Sequence, residues 1–446
     1  MTTTSPRVNR HSFASIILLA ATTMVLLASC VKNDYHPNNG NSVSTFSSDV
    51  LDKWISLEIR LMRNATGIPN QAFSRHYAYA GIAALASVSP GLPANANWMN
   101  RFNGLTGLPA PDPSVKYYYP ANVNAAMASI LHSMFPAASV ADKFSIDSLE
   151  NALKQHFLTM QPVTSIEESA MYGKAVADAV YEWAETDGYK QASNPYTAPT
   201  GPGKWVPTAP AFSSASTPFW GNNRTTITGS SQNTQPVAPI AFSTEENSAF
   251  YLMVKQVYDV SQNLTDAEKA MAIFWRDVPG VTSPGHWLSI LQQAIRQSNA
   301  RLDKAVISFA LTGAAINDGL ISCWKAKYQH SLVRPITYIR DVMGHGTWTS
   351  FLGTPPHPEY PSAHAVLSVA AGEVMDKIFT NINSFTDHTY DYMGFAPRTY
   401  TSFRAVGIEA AQSRLYAGIH YQPSIEAGII QGINVADNIL SVSPAH

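Results

Sequence analysis

The sequence predicts an all-α fold, a large helical bundle, on three observations. Apolar residues recur at three- and four-residue steps through most of the chain, several of these runs open on helix-capping residues, and clean β alternation is scarce. Val50, Trp54, Leu57 and Leu61, with Ile55 and Met62 beside them, set the pattern of a first helix from Val50 onward. A second, over Ala72–Val88, carries Ala78, Ala80, Ala83 and Ala84 at close spacing, which suits tight helix contact. Further helices are predicted over Ala121–Met134, Asp142–Met160, Ser165–Glu185, Thr244–Asn263, Asp266–Arg276, Trp287–Ser298, Ala300–Tyr328, Ala363–Ile378, Thr401–Tyr416 and Ser424–Ser441. Thr265 with Glu268, and Ser165 with Glu168, have capping-box spacing. Around residues 190–242 the composition turns to Pro, Ser, Thr, Asn and Gly. A plain linker would lack the aromatics Trp205, Phe212, Phe219 and Trp220, so this stretch reads as an ordered excursion over the helical body. One helical domain over residues 49–446 is expected.

The chain has 446 residues, 45% of them hydrophobic, enough for a substantial core. A formal net charge of −2 and the lack of a basic stretch give no reason to expect nucleic acid. The two cysteines, Cys30 and Cys323, exclude a disulfide framework. Arg7 and Arg10 precede an apolar run from Ile16 to Leu27, which ends in Leu27-Ala28-Ser29-Cys30. That order describes a secretory signal. Its ending resembles a bacterial lipobox, in which the cysteine is lipidated and becomes the mature first residue. The run is short of the roughly 20 residues a membrane span needs, and no second stretch reads as long enough. Residues 31–48 are polar and read as a disordered tether. The expectation is an exported, membrane-anchored lipoprotein facing the periplasm or the cell surface, touching the membrane through the lipid on Cys30 alone.

Three segments in the C-terminal third carry chemistry. Lys327 and Arg334-Pro335 come first; seven residues are nearly two helical turns, so the two cations can share a direction, and Pro335 encourages a bend. Pro361-Ser362-Ala363-His364 comes second, with Ser362 where a helix N-cap belongs, beside amides that have no internal partner. Ser413-Arg414 and His420 come third, near a junction of two helices loosened by Gly418. Each alone reads as ordinary surface or capping chemistry. Together they offer two guanidinium forks, one ammonium, a hydroxyl at a helix N-terminus and two imidazoles. That inventory suits a phosphate-shaped oxyanion, with donors for its equatorial oxygens and a group at each axial position.

In these segments the chain resembles the type 2 phosphatidic acid phosphatase superfamily, which includes the vanadium-dependent haloperoxidases. Phe274-Trp275-Arg276-Asp277, Thr282-Ser283-Pro284-Gly285-His286-Trp287 and Pro358-Glu359-Tyr360-Pro361 look like its soluble bacterial haloperoxidase branch. The resemblance implies a helical bundle and vanadate as cofactor, at a site that phosphate can also occupy. It implies that His420 bonds the central atom, vanadium in a peroxidase, and that His364 is the acid/base opposite. It implies that Lys327, Arg334, Ser362, the amide of Ala363 and Arg414 hold the equatorial oxygens, with Lys327 polarising bound peroxide. Asp277 is a candidate support for an active-site arginine, and His357 falls where bromoperoxidase-type members carry a second histidine.

Ala363 replaces the usual glycine, and Ser424 stands where many members have the aspartate that orients the nucleophilic histidine. The second departure disfavours phosphatase chemistry. The expected activity is oxidation of halide, bromide before chloride, by hydrogen peroxide. The alternative is hydrolysis of a phosphomonoester through a phosphohistidine, without a divalent metal. A third reading is a non-catalytic ligand-binding lipoprotein, which exposed, stacked Trp205 and Trp220 would favour.

Overall fold

The computed structural model describes residues 42–93 and 97–441. Cys30 and the signal sequence lie outside the described residues, as does most of the tether. The exception is Ser42–Ser48, which was expected to be disordered and is folded. Val43 is buried, the Phe46 ring packs edge-on to Tyr118 and Tyr119, and the Ser44 and Thr45 carbonyls accept from Arg301. Two apolar side chains and a guanidinium anchor it, which the polar composition hid.

Thirteen α-helices follow among the described residues. They are α1 (Asp49–Asn64), α2 (Ala72–Ser87), α3 (Tyr119–Met134), α4 (Val140–Leu158), α5 (Val163–Ala184), α6 (Ala249–Gln262), α7 (Asp266–Phe274), α8 (Ser283–Gln297), α9 (Leu302–His330), α10 (Pro335–Asp341), α11 (Ala363–Ile378), α12 (Phe403–Tyr416) and α13 (Gln422–Ser441). Thr265 and Glu268 form the predicted capping box. Ser165 does not cap: α5 begins at Val163 after Pro162, and the Ser165 hydroxyl instead donates to the Lys116 carbonyl. Thr282 caps α8, which begins four residues before its expected start, with Pro284 tolerated in the first turn. Pro335 does not merely bend the chain; it opens α10, where its missing N–H costs nothing. A short antiparallel pair, β1 (Phe385–Asp387) and β2 (Arg398–Tyr400), was not foreseen; three residues are too few for alternation to register.

Helices α2, α3 and α5 pack together with α1 and α4 around them, and α11, α12 and α13 form a second group. Helix α9 packs against α2 on one side and α11 on the other, so it belongs to both. By length and composition α9 could cross a membrane, contrary to the expectation that no second stretch could; here its residues are buried among the other helices. The contact with α2 is close. A Cβ on Gly81 would meet the Phe309 backbone at 2.8 Å, and one on Gly313 would meet Ala78 Cα at 2.9 Å.

The irregular stretch lies along α9. Asp318 is buried and its carboxylate accepts from the Thr226 and Ile227 amides and the Thr226 and Ser230 hydroxyls at 2.7–3.0 Å. Trp205 and Trp220 are buried and offer no exposed stacking platform. Gly203 and Trp205 are stitched to the residues just beyond α9: the Trp205 amide donates to Ser331 and the Val333 amide to Gly203.

Candidate active site

Helix α9 ends at His330, and its last turn carries Lys327 into the interior. Ser331 takes the left-handed conformation that stops the helix, and the chain then turns through Arg334 into α10. Ser362 is the N-cap of α11, and His364 lies in its first turn. Arg414 is in the last turn of α12, and His420 lies in the short connection to α13. Gly418, at φ +75°, makes that connection possible, because a side chain in that conformation is strained. Lys327, Arg334, Ser362, Arg414 and His420 are all buried, and His364 is nearly so.

The Arg334 guanidinium is held on three sides. Its Nε donates to the His357 carbonyl at 2.8 Å, Nη1 to the Ile419 carbonyl at 2.9 Å, and Nη2 to His357 Nδ1 at 2.9 Å. His357 is therefore no free turn residue; its ring is 5.0 Å from Trp324 and fixes the fork. Arg334 Nη1 also lies 3.4 Å from His420 Nε2. Arg414 is held more loosely, donating to Ser413 Oγ at 3.0 Å and to the Ala272 carbonyl at 3.3 Å. Lys327 departs from the expected picture. Its ammonium donates to the carbonyls of Pro358, Glu359 and Pro361 at 3.0, 2.9 and 2.5 Å, which uses all three of its hydrogens. It shapes the loop before α11 and contributes charge rather than a free donor. Burial lowers its pKa below the ordinary lysine value.

Neither the lysine nor the two arginines make an ion pair with a carboxylate among the described residues. The Ser362 hydroxyl is buried without a hydrogen-bond partner at the amide end of α11. Three buried cations and an orphaned hydroxyl beside free helix amides are costly unless something anionic completes them. The set fits a tetrahedral or trigonal-bipyramidal oxyanion such as vanadate or phosphate. The Ala363 amide can take part: Ser362 has φ −70° and Ala363 begins an ordinary helix, so the absent glycine was not needed for a left-handed backbone.

The two imidazoles are both kept neutral. Burial, then Arg334 and Lys327, push the His420 pKa well below the ordinary imidazole value. Burial and Arg414 do the same to His364. His364 Nε2 lies 3.0 Å from the Trp275 carbonyl and 2.9 Å from Ser283 Oγ, which itself donates to Asp277 Oδ1 at 2.9 Å. A carbonyl can only accept, so Nε2 carries the hydrogen and Nδ1 the lone pair. Asp277 lies 3.5 Å from His364 Nε2 and, although it acts electrostatically on Arg414, it supports the histidine side through Ser283 rather than pairing with an arginine.

Glu359 was missed as a member of the site. It is fully buried, and its Oε1 lies 2.7 Å from His420 Nδ1. No local spacing could have found it, because its partner lies sixty-one residues away in the sequence.

Residues 307–445 match the family model of the VCPO second helical-bundle domain. The chain is similar to the crystal structure of the first bacterial vanadium-dependent iodoperoxidase, at 33% sequence identity and a TM-score of 0.79, over 92% of this chain and 98% of that one. Its fold is also similar to holo-type bacterial vanadium-dependent chloroperoxidase, at 16% identity and a TM-score of 0.61, over 94% of this chain and 97% of that one. The apo-type structure gives 17% and 0.60, over 83% and 94%. No curated protein matches the sequence.

Proposed function

We propose a chemistry for this pocket from one premise: the chain belongs to the vanadium-dependent haloperoxidase family. The protein is a haloperoxidase, and its substrates are hydrogen peroxide and a halide. Bromide is preferred over chloride, supported by His357 in the place of a bromoperoxidase histidine. Iodide, the easiest of the three to oxidise, is a substrate too, in line with the iodoperoxidase at 33% identity. The observation that carries the reading is the cationic surplus around the unpartnered Ser362 hydroxyl.

Vanadate, when bound, supplies a Lewis-acid centre that activates peroxide at one oxidation state. His420 Nε2 would hold its central atom. Arg334, Arg414, Ser362 Oγ and the Ala363 amide would hold its oxygens, and Lys327 would add positive charge from the loop it orders. His364, with Nε2–H committed to Trp275 and Ser283, takes a proton from hydrogen peroxide at Nδ1. The buried surroundings strengthen each of these interactions.

A second reading, a phosphomonoesterase working through phosphohistidine, gains one observation. The carboxylate that seemed missing at Ser424 is present at Glu359, against His420. In that chemistry His420 Nε2 attacks phosphorus, and His364 must first take up a proton from solvent at Nδ1 before it can protonate the leaving alcohol. The deciding experiment is a paired assay: halogenation of a phenol reporter with vanadate, peroxide and each halide, against aryl phosphate hydrolysis without vanadate. Halogenation suppressed by phosphate supports the peroxidase; phosphate release inhibited by vanadate, with no halogenation, replaces it.

Export and lipidation at Cys30 complete the proposal, supported by the signal-like leader. Cys30→Ser is expected to free the protein from membranes, and continued membrane retention would rule lipidation out.

A further inference from the structure

Glu359 is one residue with three attachments to the site. Its backbone carbonyl accepts from Lys327 Nζ at 2.9 Å. Its carboxylate Oε1 accepts from the Tyr421 amide at 3.0 Å and lies 2.7 Å from His420 Nδ1. Its Oε2 accepts from the Ser424 hydroxyl at 2.6 Å. Its own amide donates to the Leu332 carbonyl at 3.0 Å, which fixes the loop from the other side.

The geometry points to Glu359 as the positioning residue for His420, with Ser424 as its anchor. A carboxylate offers acceptors, so His420 Nδ1 carries the hydrogen and Nε2 keeps its lone pair. Nε2 is the atom beside Arg334 Nη1. The tautomer is thus chosen before any oxyanion arrives, and the ring plane is held by the same bond. Four residues after His420, where the family pattern places an aspartate, Ser424 donates to a carboxylate that comes from the other side of the histidine. Glu359 supplies the carboxylate at His420 Nδ1, and Ser424 holds that carboxylate in place. An arrangement of this kind orients a ligating imidazole and raises its basicity.

The inference rests on the reading that His420 would hold the oxyanion, and its test separates the two. In the full-length, vanadate-free protein, ¹⁵N spectra of the His420 ring are expected to show a protonated Nδ1 and an unprotonated Nε2. Glu359→Leu should mix the tautomers and weaken both vanadate and inorganic phosphate about 10- to 100-fold, as loss of such a supporting partner does. Glu359→Gln, whose amide oxygen can still accept from Nδ1–H, should keep the tautomer and most of the affinity. Adding Ser424→Asp to Glu359→Ala should recover both. A wild-type His420 protonated at Nε2 overturns the inference without any variant having to fold. So does Glu359→Leu with unchanged tautomer and affinity. If the tautomer and the oxyanion affinities respond as described but no halide is oxidised, the assigned activity fails and the role of Glu359 stands.

Discussion

Arg75 in the N-terminal group of helices is as buried as Arg334 and Arg414 in the C-terminal group, but its surroundings differ. Arg75 Nε donates to Asp187 at 2.6 Å, Nη2 donates to the Ala184 carbonyl at 2.7 Å, and the rings of Tyr79 and Tyr189 lie against it. It is complete within the protein. Arg334 and Arg414 are braced by carbonyls, a hydroxyl and an imidazole, with no carboxylate among the described residues in ion-pair contact with either. A buried arginine with its counterion is architecture, whereas buried arginines lacking one mark the place of an anion from outside.

The comparison is most open to attack at the site itself. His420→Ala should abolish vanadate-dependent halide oxidation, a loss of at least about a thousandfold, with the helical circular dichroism unchanged; retained turnover would break the assignment. Next come the arginines. Arg414→Met should weaken vanadate and phosphate about a hundredfold, from two lost charge-assisted bonds, and leave the melting temperature of the oxyanion-free protein nearly unchanged. Asp187→Ala should do the opposite. It leaves Arg75 only the part-exposed Glu185 carboxylate at 3.7 Å and should cost about 3 kcal/mol of stability in denaturant unfolding, while oxyanion affinity holds. Equal effects of the two substitutions would erase the distinction.

A pH series sharpens it further. Burial lowers the His76 pKa from 6.5 to about 4, so above pH 6.5 the folded and unfolded states bind the same protons there. Below 6.5 the unfolded chain takes up a proton that the folded one refuses until about 4, and stability falls as pH falls through that window. The loss is on the order of 3 kcal/mol. His357, His364 and His420 shift in the same direction and deepen it. His76→Phe should remove its own share, read as a shallower fall in unfolding free energy between pH 7 and 4.5. The smallest expected effect is that of Ser362→Ala: about tenfold weaker oxyanion binding, with the oxyanion-free protein no less stable, since the hydroxyl it removes has no partner.

Much of this was legible in the residues. Helix periods gave twelve of the thirteen helices, because an apolar stripe is a local signal. The exception, α10, is seven residues long, too short to show a period. The motif residues Lys327, Arg334, Ser362, His364, Arg414 and His420 come together in one interior, and their spacing announced them. What could not be read was how each is held. Lys327 spends its hydrogens on carbonyls of a proline-rich loop, and Glu359 meets His420 only through the packing of that loop against the start of α13. Ser42–Ser48 has the composition of a tether and folds because Tyr118, Tyr119 and Arg301 wait for it elsewhere in the chain.

The backbone contact at Gly81 and Gly313 reaches further than its own helices. From Gly313 to Lys327 helix α9 runs fourteen residues, on the order of 21 Å at 1.5 Å per residue. One continuous helix thus joins that contact to the ammonium ordering the loop before α11. A methyl group added at the contact, as in Gly313→Ala, would sit 2.9 Å from Ala78 Cα and from the Tyr77 ring, so the two helices must part locally to admit it. Selection at Gly81 and Gly313 is therefore for the absence of a side chain, at positions that an inspection of the pocket would pass over.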